Sequence, residues 1–370
     1  MRKLLIFHSA LAPYRVDFFN ALADNFDCTI VFLSRNNRNQ PFEQSKLLSQ
    51  CRFHYVFMDK KLVVGGRDLN FGYLYYLLKY KPDVVIGGEY GFPTLLPCIY
   101  RLFLRKTYSL YTICDDSLKI AKECKGIRKR LRDFLSKRLD GFIFISEDVA
   151  KWYVNNFHLK SYPIVFPIIR DEKTYRLKLK EVLPISIKFQ EGFGLIGKIV
   201  FLYVGRLAEV KNIPFLMSAF SKIKRKNACL VLVGEGNEKD ELQSYACRLG
   251  IEKDVFFVGR YEGDELYAWY NLANLFILPS KYEPFGAVTA EALQAGCPVL
   301  CSCNAGSSAL IREEINGNSF SPYDEDELIG LLEKYISMSY PLDLNASEIR
   351  NSLLPYSFDD CVKNMRGKLI

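Results

Sequence analysis

The chain has 370 residues, 49% of them apolar, which is enough for two domains that each bury a core of their own. Its formal charge of +8 lies mostly in one segment without any nucleic-acid-binding motif, so nucleic acid is not an expected partner. The eleven cysteines form no C-x-x-C pair, which argues against a disulfide scaffold and for a reduced, cytoplasmic protein.

The N-terminus resembles a signal peptide in part. An apolar run leads to small residues at Ala10–Ala12, as at a cleavage site. The run is short, His8 and Ser9 interrupt it, and a helical pattern begins directly afterwards at Pro13. We therefore expect a first strand over Lys3–Phe7.

The first half of the chain alternates apolar, β-branched runs with helical patterns. Such alternation predicts a parallel, doubly wound sheet of the α/β class. The predicted strands are Lys3–Phe7, Cys28–Leu33, Phe53–Phe57, Asp83–Gly87, Tyr108–Ile113 and Gly141–Ile145.

A second alternation follows an irregular, charged stretch between residues 170 and 198. Its predicted strands are Ile199–Val204, Cys229–Val233, Asp254–Val258, Asn274–Leu278 and Pro298–Cys301, separated by helical patterns over 212–226, 238–249, 263–272 and 287–295. The sequence therefore predicts two Rossmann-like doubly wound domains, over 1–172 and 198–355, facing across a cleft. An interdomain connection is expected over 173–197 and a C-terminal helix over 356–370.

The segment Lys119–Arg138 holds nine basic and two acidic residues, a net charge of +7. Apolar residues recur in it at helical spacing, which predicts a basic amphipathic helix. Two interpretations stay open: docking on an anionic membrane surface, or a solvated helix packed on its own domain.

Two glutamates frame a predicted turn and helix start in the stretch Glu283–Glu291. The apolar run Asn274–Leu278 precedes it, so the order is strand, loop, helix. Open α/β sheets bind ligands at such connections, and helix N-termini attract anions. A carboxylate in this position suits a ligand with hydroxyl and phosphate groups, such as a sugar nucleotide. An ordinary surface helix, whose acids follow the macrodipole, is the alternative.

Two cations follow the strand Ile199–Val204: Arg206, and then Lys211 just before the next helical pattern. A guanidinium and an ammonium at one strand end suit a diphosphate, although two ordinary surface cations have the same spacing. Gly234 and Gly236 follow the next strand and permit close backbone approach, a weak signal taken alone.

In combination and in this order, the motifs resemble glycosyltransferase family 4, the retaining nucleotide-sugar glycosyltransferases of the GT-B fold. The resemblance covers roughly residues 199–322. A softer similarity, to bacterial surface-polysaccharide members, lies in Leu11–Phe19. The motifs that carry the main resemblance are Gly205-Arg206, Lys211, Gly234-Glu235-Gly236, Phe257-Val258-Gly259, Leu278-Pro279-Ser280 and Glu283-Pro284-Phe285-Gly286 with Glu291.

The resemblance implies that the first domain binds the acceptor and the second the donor. Arg206 and Lys211 would bind the donor diphosphate and stabilise the charge that grows as it leaves. Glu283 would bind hydroxyls of the donor sugar, and Glu291 would bind the ribose. The resemblance also implies that Gly205, Gly234, Gly236, Phe285, Gly286 and Ala287 border the donor, and that Arg260 and Tyr261 lie near the base.

Members of the family usually need no metal, so no metal and no cofactor are expected, and the nucleotide sugar is a substrate. The first domain departs from the family in the loop His8–Pro13, where many members have a glycine-rich sequence. Many members also place a histidine after a middle strand, where this chain has Asp115 and Asp116. Asp115 or its neighbour would orient the acceptor or steady positive charge on the sugar. Two helix-capping acids are the alternative.

The sequence thus predicts a metal-independent, retaining glycosyltransferase that moves a sugar from a nucleotide-diphosphate donor to a glycan or lipid-linked acceptor. Its expected setting is surface-polysaccharide biosynthesis, in the cytoplasm or peripherally at the inner face of the membrane. A nucleotide-sugar epimerase or hydrolase of the same fold stays open as an alternative. A Rossmann dehydrogenase would require G-x-G-x-x-G after a first strand, which is missing at both candidate strands. A silent binding subunit is disfavoured because the four charged donor residues are intact.

Overall fold

The computed structural model describes residues 1–36, 42–58, 62–64, 67–69, 72–103, 108–224, 227–344 and 349–369. The chain forms two compact units: Met1–Ile168 together with Phe358–Ile370, and Ile169–Ser357. Each unit contains one parallel sheet with connecting helices, so the predicted α/β class with two Rossmann-like domains is confirmed.

Strands and helices alternate through the first unit. Seven of its strands form one parallel sheet in the order β3-β2-β1-β6-β7-β8-β9, and β4 pairs with β5 in an antiparallel hairpin. The elements are β1 (Lys3–His8), α1 (Pro13–Ala23), β2 (Asp27–Phe32), α2 (Gln44–Leu48), β3 (His54–Phe57), β4 (Leu62–Val64), β5 (Arg67–Leu69), α3 (Tyr73–Tyr80), β6 (Val84–Gly88), α4 (Phe92–Phe103), β7 (Ser109–Cys114), α5 (Leu118–Glu123), α6 (Gly126–Ser136), β8 (Gly141–Phe144), α7 (Glu147–Asn156) and β9 (Ile164–Val165).

The second unit repeats this organisation. Its six parallel strands lie in the order β12-β11-β10-β13-β14-β15. The elements are α8 (Glu172–Glu181), α9 (Leu183–Gly192), β10 (Ile199–Val204), α10 (Ile213–Lys222), β11 (Ala228–Val233), α11 (Lys239–Leu249), β12 (Val255–Gly259), α12 (Asp264–Leu272), β13 (Leu275–Leu278), α13 (Ala287–Gln294), β14 (Val299–Ser302), β15 (Gly317–Phe320) and α14 (Glu325–Met338); short 3₁₀ turns cover Glu209–Lys211 and Gly306–Leu310, and α15 (Phe358–Leu369) returns to the first unit.

The central strands are apolar along their length because both faces of a parallel sheet are covered. All six residues of β10 are buried, as are Leu4–Phe7 of β1 and Val84–Ile86 of β6. This explains why continuous apolar runs, rather than alternating ones, located these strands in the sequence.

The strand order reverses once in each sheet, between β1 and β6 in the first and between β10 and β13 in the second. Connections leave opposite faces of the sheet at such a point, which opens a crevice at the carboxyl ends of the two strands. The loops beside these crevices begin after His8 and Gly88 in the first unit and after Val204 and Leu278 in the second.

The stretch predicted as an interdomain connection, 173–197, differs in the structure. It contains α9 and nearly all of α8, and both helices pack on α12 of the second unit. The crossing from the first unit to the second falls instead at Ile168–Ile169. The charged surface of α8 explains the error, because a helix with few buried positions shows little apolar periodicity.

The C-terminal helix α15 packs on the first unit, although it follows the second in the chain. Its Phe358 ring makes an edge contact with Phe166 at 5.6 Å between centroids. The hydroxyl of Tyr111 donates to the carbonyl oxygen of Lys368 at 2.9 Å. Residues 358–370 therefore belong to the first unit.

The basic segment Lys119–Arg138 is not one helix. It is divided between α5 and α6, and Gly126, at the start of α6, adopts a φ of 63° that favours glycine. One of its cations, Arg132, is buried. In the part of the chain that the structure describes, no helix is long and apolar enough to cross a membrane.

Candidate functional site

Arg206 lies in the loop that leaves the carboxyl end of β10. The hydroxyl of Tyr203 donates to the carbonyl oxygen of Arg206 at 2.8 Å and fixes the backbone of this loop. The Arg206 side chain is exposed, and among the described residues it has no hydrogen-bond or ion-pair partner. A guanidinium held at a strand end without a protein partner is available to an anion.

The two glycines of the Gly234-Glu235-Gly236 motif let neighbouring backbones come together. A Cβ atom on Gly234 would lie 1.8 Å from the carbonyl oxygen of Gly205, and one on Gly236 would lie 2.0 Å from that of Leu207. The Leu207 N–H donates to the Glu235 carbonyl oxygen at 2.9 Å. The motif therefore fixes the path of the 205–207 loop, which carries Arg206.

Lys211 and Glu283 form an ion pair between the loops that follow β10 and β13. Their side chains are 14% and 15% exposed, so the pair is largely shielded from water. The adjacent Asn212 adopts a left-handed φ of 59°, and its side chain donates to the Pro322 carbonyl oxygen at 2.9 Å. The structure thus brings together a cation and a carboxylate that lie far apart in sequence.

The loop between Glu283 and α13 is held by main-chain hydrogen bonds. The Gly306 N–H donates to the Glu283 carbonyl oxygen at 3.0 Å, and the Ser307 N–H donates to that of Phe285 at 2.7 Å. Gly286 precedes α13 with a φ of 94°, and a Cβ there would lie 2.7 Å from Leu278. Phe285 is buried, and Ala287 is the first residue of the helix. The motif therefore sets a helix N-terminus, with its partial positive charge, beside Glu283.

Glu291 lies inside α13 and is 9% exposed. The hydroxyl of Tyr270 donates to its Oε2 at 2.9 Å, and Nη1 of Arg170 lies 3.8 Å from its Oε1. Burial, followed by the charge of Glu291, raises the pKa of Tyr270, so this hydroxyl keeps its proton. The second glutamate of the motif is thus held in a polar network, and its contact with ribose stays a prediction.

Arg260 and Tyr261 follow β12. Arg260 forms an exposed ion pair with Glu262. The Tyr261 ring packs on the rings of Phe189 and Trp269, with centroids 5.2 and 5.8 Å away. Tyr261 therefore contributes to the packing of α9 and α12, and the proximity of both residues to a nucleotide base stays a prediction.

In the first unit, Asp115 lines a small cavity at the carboxyl ends of β1, β6 and β7. Its volume is about 110 Å³. Asp115 forms an ion pair with Arg15, which is 2% exposed. The cavity is lined by His8, Ser9, Ala10, Tyr14, Gly88, Glu89, Pro93, Ile113 and Asp115.

Two titratable side chains of this cavity have shifted pKa values. Burial, followed by the charge of Arg15, lowers the pKa of His8 to about 4, so its ring is neutral at pH 7. Burial, followed by the carboxylates of Asp115 and Asp116, raises the pKa of Glu89 to about 8. Although the Glu89 side chain is partly open to solvent, the protein atoms around its carboxyl group and the charges of Asp115 and Asp116 disfavour the ionised form.

Asp116 points into a second, buried network. It forms an ion pair with Arg132 at 2.8 Å and accepts from the Tyr153 hydroxyl at 3.0 Å. Ligand atoms of Glu89, Cys114 and Asp116 lie within 4.8 Å of one another, as a cation would require. Because Arg132 already neutralises Asp116, and burial raises the pKa of the Cys114 thiol, we assign no metal to this cluster.

Sequence reasoning found Asp115 and missed three of its neighbours, His8, Arg15 and Glu89. An acid directly after the strand β6 was an available signal, because carboxyl ends of parallel strands carry ligand contacts. Arg15 gave no such signal. In the sequence Arg15 is an ordinary residue of a predicted helix, and only the structure shows that it is buried beside Asp115.

Residues 187–351 match the family described as Glycosyl transferases group 1. This span contains all the donor-site residues discussed above, from Gly205 to Glu291. We refer to this matched segment, residues 187–351, as the group 1 domain. The first unit lies outside the matched span, in agreement with its lack of family motifs.

Two relatives of known sequence each match a little over a third of this chain. An uncharacterized glycosyltransferase of Methanocaldococcus jannaschii is 39% identical over 137 residues, which are 37% of this chain and 35% of that protein. The lipopolysaccharide 1,2-N-acetylglucosaminetransferase of Salmonella typhimurium is 31% identical over 149 residues, 37% of this chain and 39% of the relative. The chain thus spans little more than a third of the length of these relatives.

The similarity of fold extends to both units. HepE of Anabaena, whose crystal structure is a complex with UDP, matches with a TM-score of 0.73 over 100% of this chain and 94% of HepE. The sequences are 17% identical, so the comparison concerns the fold alone. The similarity confirms the GT-B type of fold, which has two parallel-sheet Rossmann-like domains. The group 1 domain lies within the second of these.

Proposed function

We propose that the protein is a retaining glycosyltransferase of family 4 that transfers a sugar from a nucleotide-diphosphate donor to a glycan or lipid-linked acceptor. One observation carries the proposal. At the strand-order reversal of the group 1 domain, an exposed Arg206 shares its loop region with Lys211, which is paired to Glu283. This arrangement offers cations for a diphosphate and a carboxylate for sugar hydroxyls.

The chemical work assigned to these residues is electrostatic. The sugar–phosphate bond of the donor breaks, an acceptor oxygen bonds to the anomeric carbon, and the acceptor hydroxyl passes its proton to an oxygen of the departing diphosphate. Negative charge grows on the leaving diphosphate, and Arg206, Lys211 and the N-terminus of α13 stabilise it. We propose that these groups take the place of a divalent metal. Glu283 then orients the donor sugar, and Glu291 binds the ribose.

The acceptor class and the cellular setting are also part of the proposal. One relative of the chain is a lipopolysaccharide 1,2-N-acetylglucosaminetransferase, which supports a glycan or lipid-linked acceptor and a role in surface polysaccharide. Exposed Arg128, Lys129 and Arg130 flank Ile127, whose side chain is 83% exposed. A cluster of cations beside an exposed apolar side chain supports peripheral binding to the anionic inner face of the membrane.

A panel of nucleotide sugars tests the donor assignment. A ligand that binds only the folded protein at 100 times its Kd raises the free energy of unfolding by about 2.7 kcal/mol, measured as a thermal shift. We expect one donor class to give this shift in the wild type, none in Arg206→Ala, and a normal shift in Lys253→Ala, which changes an exposed lysine of the same unit. Absence of a shift with all nucleotide sugars would contradict the proposal.

The reaction itself distinguishes the proposal from its alternatives. The product of transfer should keep the anomeric configuration of the donor, as judged by nuclear magnetic resonance. Inversion would contradict the retaining mechanism. Release of free or rearranged sugar, unchanged by added glycan or lipid-linked acceptors, would indicate the hydrolase or epimerase alternative.

Vesicle flotation at low salt tests the membrane contact. Vesicles with anionic lipid should retain the wild type and lose the triple variant Arg128→Glu, Lys129→Glu and Arg130→Glu. The control variant Lys46→Glu, Lys81→Glu and Lys151→Glu changes net charge equally at exposed sites of the same unit. Equal loss in both variants would indicate a net-charge effect without a docking surface.

A further inference from the structure

The cavity of the first unit lies where its sheet reverses strand order. His8 ends β1, Gly88 ends β6, and these two strands are the neighbours at which the order reverses. Such a crevice binds ligands in open α/β sheets independently of any sequence motif. At about 110 Å³ the cavity is smaller than the roughly 300 Å³ at which pockets for whole ligands begin. It therefore suits one edge of a larger ligand.

Glu89 holds an unusual backbone conformation at this cavity. Its φ is 61°, a left-handed value that is rare for a residue with a side chain. The Thr112 hydroxyl donates to the Glu89 carbonyl oxygen at 3.0 Å, and the hydroxyl of Thr94 donates to the same atom at 2.5 Å. Strained residues that neighbouring groups hold in this way cluster at functional sites.

The cavity lining offers both donors and acceptors of hydrogen bonds. Nδ1 of His8 lies 3.1 Å from the Ala10 carbonyl oxygen, which only accepts, so Nδ1 carries the proton of the neutral ring and Nε2 is an acceptor. The Asp115 carboxylate also accepts. Glu89 accepts the Asp115 N–H at 3.1 Å through Oε1, and when protonated it also donates.

The surroundings of Glu89 decide its protonation. The charged and titratable groups around it are Asp115, Asp116 and Cys114 at the end of β7, His8 at the end of β1, Tyr14 and Arg15 on α1, Tyr90 beside it in the chain, Arg132 on α6 and Tyr153 on α7. Arg15 and Arg132 are each paired with one of the two aspartates. Desolvation of its carboxyl group, followed by the charges of Asp115 and Asp116, raises the pKa of Glu89 to about 8, so the protonated form is the major one at pH 7.

We propose that Glu89 is a positioning residue for the acceptor, forming a hydrogen bond through its carboxyl group to a hydroxyl that enters the cavity of the first unit. This inference rests on the glycosyltransferase function proposed above and adds the residue and protonation state that select the acceptor. The ligand class is a polyhydroxylated sugar edge, because His8 and Asp115 accept hydrogen bonds from hydroxyls while Glu89 donates one. Glu89 takes no proton from the acceptor in this role.

Two substitutions at Glu89 separate this role from that of a carboxylate base. Glu89→Gln keeps a neutral hydrogen-bonding group, so transfer at pH 7 should stay within about threefold of wild type. The wild-type loss of transfer above about pH 8 should disappear in this variant. Glu89→Ala should raise the acceptor KM about tenfold or more and leave the donor-induced thermal shift unchanged. Asp148→Asn, at an exposed site of the same unit, is the matched control.

Each outcome bears on one of the two proposals. Transfer by Glu89→Gln as low as that of Glu89→Ala, or an unchanged acceptor KM in Glu89→Ala, overturns the role of protonated Glu89. Failure of the wild type to transfer any sugar overturns the proposed function itself. A carboxyl resonance of wild-type protein that titrates near pH 8 and is missing in Glu89→Gln gives an independent readout. If every glutamate carboxyl titrates below about pH 6, the inference is wrong.

Discussion

The two units place different polar side chains at equivalent positions of their parallel sheets. At the strand-order reversal of the second unit, Arg206 is exposed and Lys211 pairs with Glu283. At the strand-order reversal of the first unit, Glu89 and Asp115 line the cavity, and the buried Arg15 pairs with Asp115. One crevice is suited to an anion and the other to hydroxyl groups. We therefore propose that the same topology serves two kinds of ligand through the residues at these strand ends.

The two regions also differ in how their sites are encoded. The second unit uses short motifs whose glycines fix loop paths, so its site is visible in the sequence. The first unit uses single residues from β1, α1, β6 and β7, brought together only by folding. A site without local motifs is therefore recognised by strain, charge and position in the sheet.

The largest expected effect concerns stability in the first unit. Asp116→Asn leaves Arg132 buried without its counter-charge, and we expect a loss of about 3–5 kcal/mol in the free energy of unfolding. Asp133→Asn removes the exposed partner of Lys137 and should cost less than about 0.5 kcal/mol. Denaturant unfolding of both variants measures the difference. Similar losses in the free energy of unfolding would mean that the buried pair of Asp116 and Arg132 stabilises the first unit no more than an exposed pair does.

The next effect concerns catalysis in the second unit. Arg206→Ala should lower the rate of transfer about 10²–10³-fold while the melting temperature stays unchanged, because the side chain is exposed and has no hydrogen-bond or ion-pair partner among the described residues. Lys211→Ala should cause a similar loss of rate and also lower the melting temperature, since it leaves Glu283 unpaired. Near-normal turnover in both variants would mean that the crevice of the second unit does not bind the donor diphosphate as proposed.

A smaller effect tests whether the glycine motif acts through the backbone. Gly236→Ala places a Cβ against the Leu207 carbonyl oxygen, and we expect a loss of about 1–3 kcal/mol in stability. Gly330→Ala, inside α14 with no atom within 4 Å of the added Cβ, should gain about 0.5–1 kcal/mol. Thermal unfolding gives both values. A neutral Gly236→Ala would mean that the loops of the second unit adjust freely.

The last expected effect is a pH dependence of stability that arises in the first unit. His8 has a pKa lowered from 6.5 to about 4 in the folded protein, so unfolding favours its protonation at acidic pH. The stability that neutral His8 contributes is complete above pH 6.5 and is lost as the pH falls towards 4. Comparing the wild type with His8→Gln by urea unfolding between pH 7 and 4 should show a steeper decline in the wild type. Parallel curves would mean that His8 is not held neutral.

The sequence by itself determined most of the strands, the class of fold and the strand–loop–helix motif that contains Glu283 and Glu291. Continuous apolar runs indicate buried parallel strands. The spacing from Glu283 to Glu291 depends only on the local turn and helix start, so it is visible without knowledge of the tertiary structure. The tertiary structure alone decided where α15 docks, that Arg132 is buried and that Arg15, Glu89 and Asp115 share one cavity. These contacts join residues distant in sequence, and no local pattern marks a side chain whose partner lies on another element.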